Sequence, residues 1–130
     1  MRVLKNGKGF RGKLTLRTMA MPADTNTNGD VFGDWLVSQM DLATAITAKK
    51  HAKSRVTTIA IESVSFKRSV SVGDIVGICC DLYKVGTTSM KIHVKVWSNK
   101  AEVSQGEKVT EGVFIFVAIN DEGKPRAIDI

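Results

Sequence analysis

One helix-length stretch interrupts a chain that otherwise reads as strand, and this limits the available folds more than any other feature. Lys13-Leu14-Thr15-Leu16-Arg17-Thr18-Met19-Ala20 alternates like a strand and is stopped by Pro22. After a loop from Ala23 to Phe32, a helix runs from about Asp34 to about Lys50. Ala43, Ala45 and Ala48 give it a close-packing surface, and Lys49, Lys50 and His51 suit the negative end of its dipole. From there the pattern is strand: Arg55 to Phe66, Ile75 to Val85, Met90 to Trp97 and Lys108 to Ile119. The alternation of Met90, Ile92, Val94 and Val96 with Lys91, His93, Lys95 and Trp97 is the clearest of these. Ser71-Val72-Gly73-Asp74 is a turn, Gly86-Thr87-Thr88 a hairpin connection, and Ser98 to Glu107 a polar loop. No crossover helix separates successive strands, so the sheet is mainly antiparallel and the class is α+β.

A single long helix wrapped by such a sheet is the hotdog arrangement. One helix covers one face only, so the other face or the edge strands must be hidden by a second copy, and an oligomer is expected. With 130 residues the chain holds one domain and one core. Residues 1–12, rich in glycine and base, form a flexible basic arm, and residues 13–130 form the folded domain.

Composition excludes several classes. A chain 43% hydrophobic and 25% charged is an ordinary globular one, not a disordered one. No apolar run approaches the ~20 residues that cross a bilayer, and Met1 to Gly9 has charge without an apolar region behind it. A cytoplasmic location is expected, without membrane insertion. Cys79 and Cys80 are strand neighbours pointing to opposite faces, so reduced core thiols are expected rather than a bridge. His51 and His93 stand apart from them, which leaves no metal site. The net charge of +6 favours an anionic partner. Only 6% of the chain is aromatic and no aromatics interleave with the bases, so a nucleic-acid partner is not expected.

Against this background Asp41 stands out, a carboxylate inside the most apolar helical stretch, from Gly33 to Ile46. Burying a charge is costly unless it is paired or working, so Asp41 is a candidate for chemistry. The preceding segment, Asn26-Thr27-Asn28-Gly29-Asp30-Val31-Phe32-Gly33, is a loop of turn-formers feeding the helix start.

The run Leu16 to Gly33, with Asn28-Gly29-Asp30 at its centre, followed by Trp35-Leu36-Val37-Ser38-Gln39-Met40-Asp41, resembles the YciA-type acyl-CoA thioesterases. The resemblance continues through Val72-Gly73-Asp74, Lys84 to Ser89, Val94-Lys95-Val96-Trp97 and Glu122-Gly123-Lys124-Pro125-Arg126. It implies the hotdog fold, hydrolysis of acyl-CoA thioesters, and dimers that group into trimers of dimers with the active site at the dimer interface. It puts the catalytic carboxylate at Asp41. Asp41 is then the general base, with a nucleophilic role as the less favoured alternative. Backbone N–H groups near Gly33 and Asp34 hold the oxyanion, and Asn26 or Asn28 orients water or thioester. No cofactor is implied, CoA being part of substrate and product.

Two departures from that family pattern concern the site. The family reads Phe-Gly-Gly-Trp where this chain has Phe32-Gly33-Asp34-Trp35, and it favours glycines after the acid where this chain has Leu42-Ala43-Thr44. Asp34 either caps the helix or crowds the bound substrate. The second departure bears on acyl-chain preference. A non-catalytic acyl-CoA sensor on the same fold is therefore the alternative function, and a basic nucleic-acid module is the third. Lys84, Gly86, Thr87, Thr88 and Ser89 read equally as a hairpin and as a segment meeting CoA. Arg55, Lys67 and Arg68 are candidate partners for its phosphates, although solvated charge is the commoner fate of any one of them.

Overall fold

The computed structural model describes residues 2–3, 12–21, 33–99 and 107–128. Its elements are β1 (Arg2–Val3), β2 (Lys13–Met19), α1 (Gly33–Ala52), β3 (Arg55–Phe66), β4 (Ile75–Val85), β5 (Ser89–Asn99) and β6 (Glu107–Ile119). The six strands form one sheet in the order β1-β4-β5-β6-β3, with β2 also paired to β4. Every pairing is antiparallel. This is the α+β hotdog layout expected from the pattern.

The alternation dictates which residues meet the helix. Met90, Ile92, Val94 and Val96 of β5, with Phe114, Phe116 and Ala118 of β6 and Val76 and Ile78 of β4, are buried in one cluster. Leu36, Met40, Ala43, Ala48 and Ala52 of α1 complete that cluster. Small alanines let the helix lie close to the sheet. Each fully buried large side chain here contributes on the order of 1.5–3 kcal/mol. Thr44 is buried among them because its hydroxyl donates within its own helix, to Met40 O at 2.8 Å.

The helix extends past Lys50 to Ala52 and closes at Lys53, whose φ of 56° is left-handed and whose N–H donates to Lys49 O at 2.9 Å. The expected basic arm contains a short strand: Arg2 and Val3 pair with Val85 and Lys84. The remainder of that arm, and the loop from 22 to 32, lie outside the described residues.

β3 is the terminal strand, and its register with β6 shifts between Thr58 and Ala60 and again between Glu62 and Ser65. Ser63, with φ 55°, sits in the second irregularity. Gly112 on β6 accommodates the displaced strand, since a Cβ there would lie 2.9 Å from Val64 Cγ2. Such bulges bend a strand and re-aim its side chains. The large exposed apolar residues lie mainly at the sheet margins, Ile59, Ile61 and Phe66 on β3 and Leu14, Met19 and Met21 on or beside β2. The outer face of β5 instead carries half-buried Lys91, His93, Lys95 and Trp97. The surface that calls for cover is therefore the edges rather than the outer face.

Candidate active site

Asp41 lies on the flank of α1 that meets β3, and it is half-buried. Its Oδ1 accepts a hydrogen bond of 2.6 Å from Thr58 Oγ1, the second residue of a Thr57-Thr58 pair on β3. Thr58 stands opposite Phe116 in the ladder, on the side of the sheet facing the helix. The strand bulges immediately after it, between Thr58 and Ala60. Among the described residues no group donates to Asp41 Oδ2. The carboxylate is thus fixed in orientation by one neutral donor while its second oxygen keeps its lone pairs. Exposed Leu42, Ile59 and Ile61 border this region of helix and strand.

Gly33 and Asp34 open α1 and are exposed. A Cβ at Gly33 would lie 3.5 Å from Phe66 Cζ, an ordinary contact, so Gly33 faces the far end of β3. Along the helix axis Gly33 is about 12 Å from Asp41. Asn26 and Asn28 lie outside the described residues.

The remaining candidates divide between two ends of the sheet. Gly86 to Ser89 form the β4–β5 hairpin, with Gly86 N–H donating to Ser89 O at 2.8 Å. Thr88 O and Thr87 O accept from Ala118 and Ile128 N–H at 2.9 and 2.8 Å, which ties the hairpin to β6 and the C-terminal tail. Lys84 is on β4 beside this hairpin, opposite Lys91 and Val3. Arg55 starts β3 at the same end of the sheet, opposite Ile119, and its Nη1 donates to Asp121 O at 3.2 Å. Arg68 lies beyond the other end of β3, where its N–H donates to Val109 O at 3.4 Å. A strand of this length spans on the order of 35–40 Å, so Arg55 and Arg68 do not converge within one protomer.

Thr58 is the residue that reading the sequence missed. The available signal was a hydroxyl at an inward position of a strand, in phase with Val56, but its partner was legible only once helix and strand were packed.

Other polar groups are arranged differently. Glu111 accepts from Lys108 Nζ at 2.9 Å and lies 3.0 Å from His93 Nε2, while His93 meets the Tyr83 ring edge-on. The Lys108 and His93 hydrogen bonds hold the Glu111 carboxyl down at about 2. His93, on the polar side of the β5 alternation, belongs to this cluster. Cys80 is buried and Cys79 half-buried on the other face, so only Cys80 is a core residue. Burial pushes both thiols up, away from reactivity. No group of three or more His, Cys, Asp or Glu side chains suited to a metal occurs among the described residues. No helix among them is long and apolar enough to cross a membrane.

A helix-borne carboxylate set against the edge strand of a hotdog sheet defines the class as thioesterase-like. The chain belongs to the thioesterase superfamily, whose family model matches residues 28–105, and within it to the YciA-type acyl-CoA thioester hydrolases. Acyl-CoA thioester hydrolase YciA of Salmonella typhimurium is 49% identical over 123 residues, covering 92% of each chain. The hexameric thioesterase of Yersinia pestis superposes with a TM-score of 0.87 at 47% identity, over 92% of this chain and 97% of that one. A hexameric hotdog-fold thioesterase of Campylobacter jejuni gives 0.84 at 36% identity, over 91% of both chains.

Proposed function

We propose that the protein is an acyl-CoA thioesterase, releasing free fatty acid and CoA, with Asp41 as general base. The observation that carries this reading is the 2.6 Å bond from Thr58 to a half-buried helix carboxylate whose other oxygen has no donor among the described residues. Water on that oxygen attacks the thioester carbonyl carbon and gives its proton to Asp41. The C–S bond then breaks and the proton passes to the departing CoA thiolate, which returns Asp41 to its ionised form. N–H groups of Gly33 and Asp34 stabilise the oxyanion at the positive end of α1. Asn26 and Asn28 orient water or thioester.

The ~12 Å between Gly33 and Asp41 on one helix supports a site shared by two protomers, the base of one facing the helix start of the other. The terminal strand β3, with Ile59, Ile61 and Phe66 exposed, supports a homodimer formed along that edge. Three such dimers make a hexamer, the state of the Yersinia pestis and Campylobacter jejuni relatives. CoA is met by Lys84, Gly86, Thr87, Thr88 and Ser89, and its phosphates by Arg55 or Arg68. Residues 13–130 form the catalytic unit, which acts in the cytoplasm and needs no cofactor.

Thiol release from a panel of acyl-CoAs tests the reading. Turnover is expected, and its loss in Asp41→Asn. Tight binding of acyl-CoA without thiol release would replace the enzyme by an acyl-CoA sensor, the reading that Asp34 beside the helix start favours.

A further inference from the structure

Gly33, Val37 and Asp41 recur every four residues, so they share one flank of α1, and β3 meets this flank at both ends. At one end Thr58 bonds to Asp41. At the other the Phe66 ring lies 3.5 Å from where a Cβ on Gly33 would stand. The strand between these contacts carries two register shifts, and they decide which side chains face the helix. In an unbroken ladder Thr58, Ala60 and Glu62 would share a face, which would turn Glu62 towards the helix. The first shift inserts Ile59 and reverses the phase. Ala60 and Glu62 then pair with Ile115 and Val113 on the outer face, and Ile61 pairs with buried Phe114 on the helix side. The second shift inserts Ser63, at φ 55°, and sets Val64 against Gly112 and Phe66 opposite buried Thr110. The backbone there is fixed from β6, since Ser65 O accepts from Thr110 Oγ1 and Lys67 N–H donates to Val109 O at 2.7 Å.

Thr58, Ile61, Val64 and Phe66 therefore form one row on the helix side of β3, polar only where it meets Asp41. Ile61 and Phe66 turn to the side that buries the core, yet they remain 45% and 52% exposed. Their ladder partners Phe114 and Thr110 are four positions apart, so this apolar part of the row is about 14 Å long. We infer that the row from Ile61 to Phe66 is the bed of the acyl chain, and that Ile61 is a residue by which chain length is read. The inference rests on the thioesterase reading, which puts the base at one end of such a row and the oxyanion donors at the other. An aliphatic chain fits the row because it has no hydrogen bonds to satisfy, whereas the amides of the pantetheine arm would be left unpaired there. In a dimer joined along β3 these side chains stand on the face of the strand rather than in its paired edge, and so line the shared site. The bulges keep the Glu62 carboxylate off that surface.

The test measures thiol release from octanoyl-CoA and acetyl-CoA by the full-length parent, Ile61→Ala and Glu62→Ala. Ile61→Ala is expected to lower the octanoyl-to-acetyl ratio of kcat/KM about tenfold, and Glu62→Ala, one residue on but facing outward, to leave the ratio as in the parent. Ile61→Val removes a single methylene, keeps the branched shape, and should lower the ratio about threefold. Sedimentation of each variant should match the parent; if alanine alters the assembly, the valine ratio decides. An unchanged ratio in the Ile61 variants, or an equal fall in Glu62→Ala, would overturn the assignment. If the parent releases thiol from neither ester, the thioesterase reading fails, and titration with the thioether S-octyl-CoA decides the row alone. Tighter binding of the thioether than of CoA by the parent, lost in Ile61→Ala, retains the row as an alkyl site. Equal binding of the two, or a gain kept in the variant, removes it.

Discussion

Two carboxylates in this protein are held in opposite ways, one on the outer face of β5 and β6 and one in the seam between α1 and β3. Glu111 has Lys108 on Oε1 and His93 on Oε2, at 2.9 and 3.0 Å, and its carboxyl is held at about 2. Asp41 has one neutral hydroxyl on Oδ1, at 2.6 Å, and no described donor on Oδ2. A carboxylate with a hydrogen-bond partner on each oxygen, one of them an ammonium, is a poor proton acceptor and serves to tie strands together. One oriented by a single hydroxyl is positioned yet retains a lone pair for a proton. Depth does not separate them, since both are half-buried; the number and charge of their partners does.

The largest effect is expected from Asp41→Asn, which keeps the volume and the Thr58 contact but removes the base. kcat should fall by at least ~100-fold, the lower end of what a general base contributes, while thermal unfolding and the oligomeric state stay as in the parent. Glu111→Gln should leave kcat unchanged. Equal losses of activity in the two variants would abolish the distinction between the two carboxylates.

Thr58→Val sharpens it further. Valine preserves the branched shape and removes the donor, so Asp41 keeps its charge and loses its alignment. A fall in kcat of about tenfold with little change in KM is expected, in line with a charge-assisted hydrogen bond of roughly 1.5 kcal/mol. Thr58→Ser should restore most of it. A KM effect without a kcat effect would make Thr58 a substrate contact rather than a positioning residue.

Glu111 yields a pH prediction. Its folded-state pKa lies below the ordinary 4.5, so the stability it contributes is present above about 4.5 and is lost as the pH falls towards 2. Denaturant unfolding of the parent and Glu111→Gln should therefore differ at pH 6 by on the order of 1 kcal/mol, and the two curves should converge as the pH is lowered through that window. A gap that stays constant to pH 2 would mean that the Lys108 and His93 contacts do not act through charge.

The strands and the helix were legible because each buries one face, and the alternation of Met90 to Trp97 or the spacing of Leu36, Met40 and Ala43 records which face that is. Asp41 stood out as a candidate because a charge is unusual in so apolar a helix and because the residues from Leu16 to Asp41 carry the family resemblance. Thr58 did not, because a hydroxyl on a strand carries no local sign of what crosses above it. The bulges of β3 escaped for a related reason, since they are a property of its pairing with β6 and of the missing Cβ at Gly112. Arg55 and Arg68 are near in sequence, and only the length of the strand between them separates them to opposite ends. Arg2 and Val3, a strand too short to show periodicity, are ordered by the edge of β4 rather than by their own pattern.

The smallest expected effect concerns Asp34, a third acid, at the start of α1, with neither kind of partner among the described residues. It is exposed in the first turn of α1, where its charge favours the helix dipole by roughly 0.3–1 kcal/mol. The same charge stands beside the N–H groups assigned to the oxyanion, where negative charge opposes the one that develops there. Asp34→Gly removes both contributions. If the second dominates, kcat should rise severalfold while the melting temperature drops by a few degrees. Unchanged or lower turnover with the same loss of stability would make Asp34 a helix-terminal residue alone and leave the oxyanion site untouched by it. An Asp34→Asn variant separates the two contributions, because it keeps the bulk and removes the charge. A rise in kcat shared by both variants then assigns the effect to electrostatics, and a rise confined to glycine assigns it to space for the thioester.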